Sequence, residues 1–154
     1  MLDLLTYHRW ATLRTLEPCL ALTTDEFERD LGGSFPSVRH TLAHLYMADS
    51  AWLHRVRGEA YAKPAPGALP EDLSAAWLEV LDGWRAVADS RNADDVIAYR
   101  AFDGTPYRNR LEDIARHVVN HGSYHRGQVA MMLRLLGHAA QGTDLIAFTR
   151  AANA

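Results

Sequence analysis

The stretch His117-Val118-Val119-Asn120-His121-Gly122-Ser123-Tyr124-His125-Arg126-Gly127-Gln128 decides how this chain is read. It places three histidines at successive four-residue steps inside a segment with helical periodicity. Four residues advance an α-helix by about 400°, so the rings form one slowly drifting stripe spaced about 6 Å along the axis. Leu111, Val118, Val129 and Leu136 lie within about 20° of one another on that wheel and mark the centre of a buried arc. His125 falls within about 40° of Val118 and Val129, and His121 within about 80°. His117 lies near the arc's edge. His121 and His125 therefore point inward, beside Ile114 and Met132.

Two adjacent inward imidazoles need partners for both ring nitrogens. A metal on one nitrogen and an acceptor on the other meets that need. Histidines that satisfy one another without metal are the competing reading. The third ligand should come from an earlier helix, expected from Pro36-Ser37 to about Arg57 and ended by Gly58. Val38, Leu42, Leu45, Asp49, Trp52 and Val56 mark its inward stripe. His44 borders that stripe, whereas His40 and His54 project towards solvent. His8 and His138 have no spacing partner and read as surface histidines. A zinc-protease helix is excluded because Gly122, not glutamate, follows His121. The Glu-x-x-His pairs of carboxylate di-metal bundles are absent too. Three neutral histidines with open positions suit a catalytic-type metal better than a closed structural one, and zinc, nickel or another borderline divalent ion would suit imidazole.

The remaining periodicity predicts an all-α fold. A first helix over about residues 2–21 carries Leu2, Thr6, Trp10, Leu13, Leu16 and Leu20 on one face, with Pro18 weakening its last turn. Thr23 and Glu26 are spaced as a capping box. A third long helix begins at Pro70-Glu71-Asp72, with a seam of Leu73, Trp77, Val80, Trp84 and Val87. The proline-rich connection before it is long for a tight hairpin, and could instead cross the bundle and make the second and third helices parallel. Val96–Arg100, the turn Asp103-Gly104 and Pro106–Arg108 suggest a short β-hairpin. Asn109 and Glu112 are spaced to cap the last long helix, which stops at Gly137. The tail Asp144–Phe148 is apolar enough to pack back on the bundle.

Bulk composition bounds the function. With 154 residues and 48% hydrophobic content, the chain fits a single domain over 1–154. Its net charge is −3 and Lys63 is its only lysine, which argues against a nucleic-acid partner. The single cysteine, Cys19, excludes an internal disulfide framework and reads as a buried small hydrophobe. The N-terminus lacks a signal-peptide pattern, and no apolar run approaches the ~18 residues of a membrane span. A cytoplasmic protein is the expectation.

The segment from His117 through Gln128 resembles the last-helix signature of the DinB-like (YfiT-like) metal-binding superfamily. Ser37-Val38 through Leu42-Ala43-His44-Leu45, Tyr7-His8-Arg9-Trp10-Ala11 and Thr143-Asp144-Leu145-Ile146 add to it, while Thr12 stands where that pattern often has asparagine. The resemblance implies a four-helix bundle of up-down-down-up connectivity with a long crossover between its second and third helices, often a homodimer. It implies a metal held by His44, His121 and His125, with His117 not a ligand. It further implies a metal-dependent transferase that uses a low-molecular-weight thiol such as bacillithiol, mycothiol or glutathione. A non-enzymatic metal-binding or stress-response protein with a structural ion is the alternative. Gln128 and Arg126 could orient ligands or the helix end, but read first as helix-packing or surface residues. Trp10 and Trp52 read as core aromatics. The two-tryptophan seam of the third helix leaves room for dimerisation.

Overall fold

Four long helices and one small hairpin carry the described chain. The structure is a computed structural model and describes residues 2–152. In order the elements are α1 (Leu2–Cys19), α2 (Thr24–Glu28), α3 (Val38–Arg57), α4 (Leu73–Ser90), β1 (Val96–Arg100), β2 (Pro106–Arg110), α5 (Leu111–Leu135) and α6 (Leu145–Ala152). The long helices pack pairwise, α3 and α1 each against both α4 and α5. They share an apolar core that includes Leu42, Leu45, Trp77, Trp84, Leu111, Val118 and Val129. Among the described residues no helix is long and apolar enough to cross a membrane.

Local chemistry sets the helix ends. The Thr23–Glu26 capping box forms in both directions at α2. Ser37 caps α3 through its side chain, and Gly58 ends it in the left-handed region at φ 73°, which a Cβ would disfavour. Asp72 caps α4 by accepting from the Ala75 amide. The expected Asn109 cap of α5 is not formed. Asn109 lies within β2, where its Oδ1 accepts from the Tyr99 hydroxyl. Arg110 occupies the cap position without a side-chain bond. Carbonyls of the preceding loop serve instead: the Leu111 amide donates to Asp95 O and the Glu112 amide to Ala93 O. The hairpin pairs antiparallel, with Val96 opposite Arg110 and Arg100 opposite Pro106.

The α4 seam is buried throughout, and Trp77 and Trp84 are each only 1% exposed. Truncating either to alanine would cost about 3–5 kcal/mol. That seam is consumed by the core, so it offers no surface for dimerisation. The expected face of α1 is also turned. Leu20 and Thr6 are exposed and Trp10 and Leu13 half-buried, while Leu5, His8, Thr12, Thr15, Leu16 and Cys19 face inward; the Leu2 side chain lies outside the described residues. The inward polar groups find bonds: Thr15 Oγ1 donates to Ala11 O and Cys19 Sγ to Thr15 O. Burial pushes the Cys19 thiol up to about 12. Trp10 and Trp52 are half-buried and pack on the core's margin. The tail does fold back as α6, with Phe148 against Tyr7 and Trp10.

Candidate metal centre

α3 and α5 lie side by side, and the three inward histidines meet across that contact. His44, His121 and His125 each offer a ring nitrogen within 4.8 Å of the others, a cluster that could hold a metal ion. His44 Nε2 and His121 Nε2 are 2.9 Å apart. The ring centroids of His125 stand 4.5 Å from those of both His44 and His121. Nitrogens around a tetrahedral zinc, each at about 2.05 Å, stand about 3.3 Å apart, so the His44–His121 pair needs only a slight opening.

The donor set suits a cation. Burial, and then the nearness of His125, pushes His44 and His121 each down to about 4. Near neutral pH both are uncharged and keep a lone pair. His125 is buried, and its Nδ1 is 2.7 Å from Gln128 Oε1. An amide oxygen only accepts, so Nδ1 carries a proton and Nε2 is the nitrogen left to bind a metal. The amide itself is oriented by Gln128 Nε2 donating to Ser34 Oγ at 3.3 Å. Gln128 thus orients a candidate ligand. Its spacing of three from His125 on one helix face was the available signal.

Phe35 stacks on His44 with centroids 4.5 Å apart and stands 5.6 Å from His125, covering one side of the cluster. Sequence gave no sign of this, because Phe35 belongs to an irregular segment whose path only packing sets. His117 stands outside the cluster on the exposed side of α5, its ring 5.2 Å from Trp52. Burial and Arg55 lower its pKa. A cleft of about 500 Å³ opens onto His44, walled by Phe35, Met47 and Phe102. Larger clefts of about 670 and 800 Å³ flank α1 and touch none of the three histidines.

Behind the cluster lies a buried polar network that sequence reasoning missed. His8, read as a surface residue, is 1% exposed. Arg126 Nη1 lies 3.1 Å from His8 Nδ1, and His8 Nε2 lies 3.0 Å from Asp49 Oδ2. Arginine can only donate, so His8 accepts at Nδ1 and donates from Nε2 to the carboxylate. Trp77 Nε1 donates to the same Asp49 Oδ2 at 2.8 Å, and Trp84 Nε1 donates to Asp49 O. Arg126 also donates to Ser123 Oγ and lies over the Tyr7 ring. Burial lowers the Arg126 pKa, with Tyr7 and Asp49 opposing. Arg126 is therefore a buried packing residue. The Asp49 charge reaches the cluster, since it partly opposes the fall in the His121 pKa. The signal was Asp49 itself, a carboxylate in an apolar stripe that must have partners. The other histidines are half-buried rather than fully solvated: His40 meets Ser37 Oγ, His54 meets Ser50 O, and His138 meets Glu26 Oε1.

The family model described as DinB family matches residues 1–154. The chain belongs to the DinB family. Similarity to the protein DinB of Bacillus subtilis (strain 168) is 25% identity over 149 residues, covering 90% of this chain and 87% of that one. Among solved structures, the crystal structure of a DinB-like protein from Bacillus cereus ATCC 10987 is similar at a TM-score of 0.57. That likeness covers 90% of this chain and 94% of the other at 15% identity, and speaks for the DinB-like fold alone.

Proposed function

We propose that His44, His121 and His125 hold a divalent metal ion, zinc or nickel, and that the protein is a metal-dependent transferase joining a low-molecular-weight thiol to a small electrophile. The convergence of three imidazoles, with His44 also lining a cleft, carries this reading. An ion held there supplies Lewis acidity that lowers the pKa of a thiol or water near neutral pH. The chain's own residues do the rest. Gln128 fixes the His125 tautomer, Phe35 shields the cluster from water, and the cleft beside His44 gives a small molecule room to approach. Cys19, buried and with its pKa raised, is left out of the chemistry. A purely structural ion would have no use for such a cleft.

The same reading takes the four long helices as an up-down-down-up bundle, with residues 59–72 as the crossover. It also includes a homodimer, for which Tyr124, Met131 and Leu135, exposed on one stripe of α5, supply apolar surface. The test is metal analysis of untagged protein, followed by a thiol panel with monochlorobimane. One ion per chain is expected, lost in His125→Ala, with metal-dependent thiol consumption for at least one cellular thiol. Unchanged metal content in His125→Ala would sink the site. No acceleration with any thiol would sink the transferase.

A further inference from the structure

The connection between α3 and α4 contributes the other wall of the cleft, and it is firmly held. Pro64, Pro66 and Pro70 restrict its backbone. Arg39 Nε donates to Gly67 O at 3.0 Å, and the Ala68 amide donates to Ala65 O. Gly67 sits at φ +75° with the His40 ring 2.8 Å from where its Cβ would stand, so no other residue fits this close approach. The segment is thereby laid along the face of α3 that carries His40, His44 and Met47, residues spaced to share one side of the helix.

This placement brings the chain's only lysine to the cleft. No Asp or Glu lines it, although the sequence holds 19 acidic residues and a net charge of −3. Lys63 makes no ion pair or hydrogen bond among the described residues; its Nζ lies 5.5 Å from the Phe102 ring. The neighbouring arginines are engaged, Arg39 with Gly67 O and Glu28, and Arg55 over the rings of Trp52 and Phe102. An apolar cleft with one cation that no carboxylate neutralises is complementary to a small organic anion.

We propose that this cleft binds a small organic carboxylate, with Lys63 as its charge partner and Phe35, Met47 and Phe102 against its apolar body. Resting on the transferase reading above, the carboxylate belongs to the thiol substrate, whose sulfur end lies towards His44. Neutral thiols are then the poorer substrates.

Two binding measurements by titration calorimetry test this at low salt. Metal-free protein is titrated with 3-phenylpropionate and with 3-phenylpropanamide, and zinc-loaded protein with N-acetylcysteine and with its methyl ester. Each acid should bind about three- to five-fold tighter than its neutral partner, as a partly exposed ion pair allows. Lys63→Met should abolish the preference in both arms and Lys63→Arg should keep it. Comparing each variant with wild type cancels any difference in thiol acidity. Zinc stoichiometry, measured alongside, should not change in either variant. A preference that survives Lys63→Met, or no preference in the metal-free arm, overturns the proposal. A preference in the metal-free arm with no thiol binding to the zinc protein upholds the carboxylate site and overturns the transferase reading.

Discussion

Alanine at Gly122 and alanine at Gly127 should move stability in opposite directions, although both glycines lie in α5. A Cβ at Gly127 meets nothing within 4 Å, so Gly127→Ala should gain the helix-propensity difference of about 0.8–1 kcal/mol. A Cβ at Gly122 would stand 2.6 Å from His8 Cε1 and 2.6 Å from Arg126 Nη1. The arginine tip can swing away, but the His8 ring is held by Asp49 on one side and Arg126 on the other. Moving the ring by most of an ångström overpacks a filled core, at about 1–3 kcal/mol. Releasing the Arg126–His8 bond leaves a buried donor unsatisfied, at about 1–3 kcal/mol more. Against a gain of about 1 kcal/mol from propensity, a net loss of roughly 2–3 kcal/mol is expected for Gly122→Ala. In thermal melts this is a fall of roughly 5–10 °C for Gly122→Ala and a rise of about 2–4 °C for Gly127→Ala. Urea titrations at constant m-value check the same difference. If Gly122→Ala is as stable as Gly127→Ala, the tight approach of α1 to α5 through His8 is wrong.

Further consequences follow from the site itself. Gln128→Leu should weaken zinc affinity about 10- to 100-fold while leaving one ion per chain at saturation, because His125 loses the acceptor that fixes its tautomer; an unchanged affinity in a competition assay with a chromogenic chelator would contradict this. Metal-free protein should lose stability as pH falls. His44 and His121, held near 4 in the fold against about 6.5 unfolded, leave the unfolded chain binding more protons across that interval. Their contribution is therefore full above about pH 6.5 and lost as pH falls through about 4. The urea midpoint should drop between about pH 7 and about pH 5 in wild type and drop less in His121→Gln; equal drops would refute the assignment.

The helical periods, the capping residues and the histidine spacing lie within short stretches of chain, and what depends on them is legible in the sequence. Helix ends at Ser37, Gly58 and Asp72, the hairpin and the inward aim of His121 and His125 follow from bonds and faces a few residues apart. The inward face of α1 is not legible from hydropathy, which treats His8, Thr12 and Thr15 as solvent-seeking. Burial of His8 becomes favourable only when Asp49, 41 residues away, and Arg126, 118 residues away, arrive to take both ring nitrogens. The α5 cap shows the same dependence, since Asp95 and Ala93 supply acceptors through a loop path that no spacing rule encodes. Phe35 over the cluster and Lys63 at the cleft likewise sit on irregular segments, positioned by the contacts of Gly67 with Arg39 and His40 and by ring stacking on His44. Short-range chemistry thus set which histidines face the core. Which polar groups stay buried, and what surrounds the cluster, depends on partners that the fold brings together across long sequence separations.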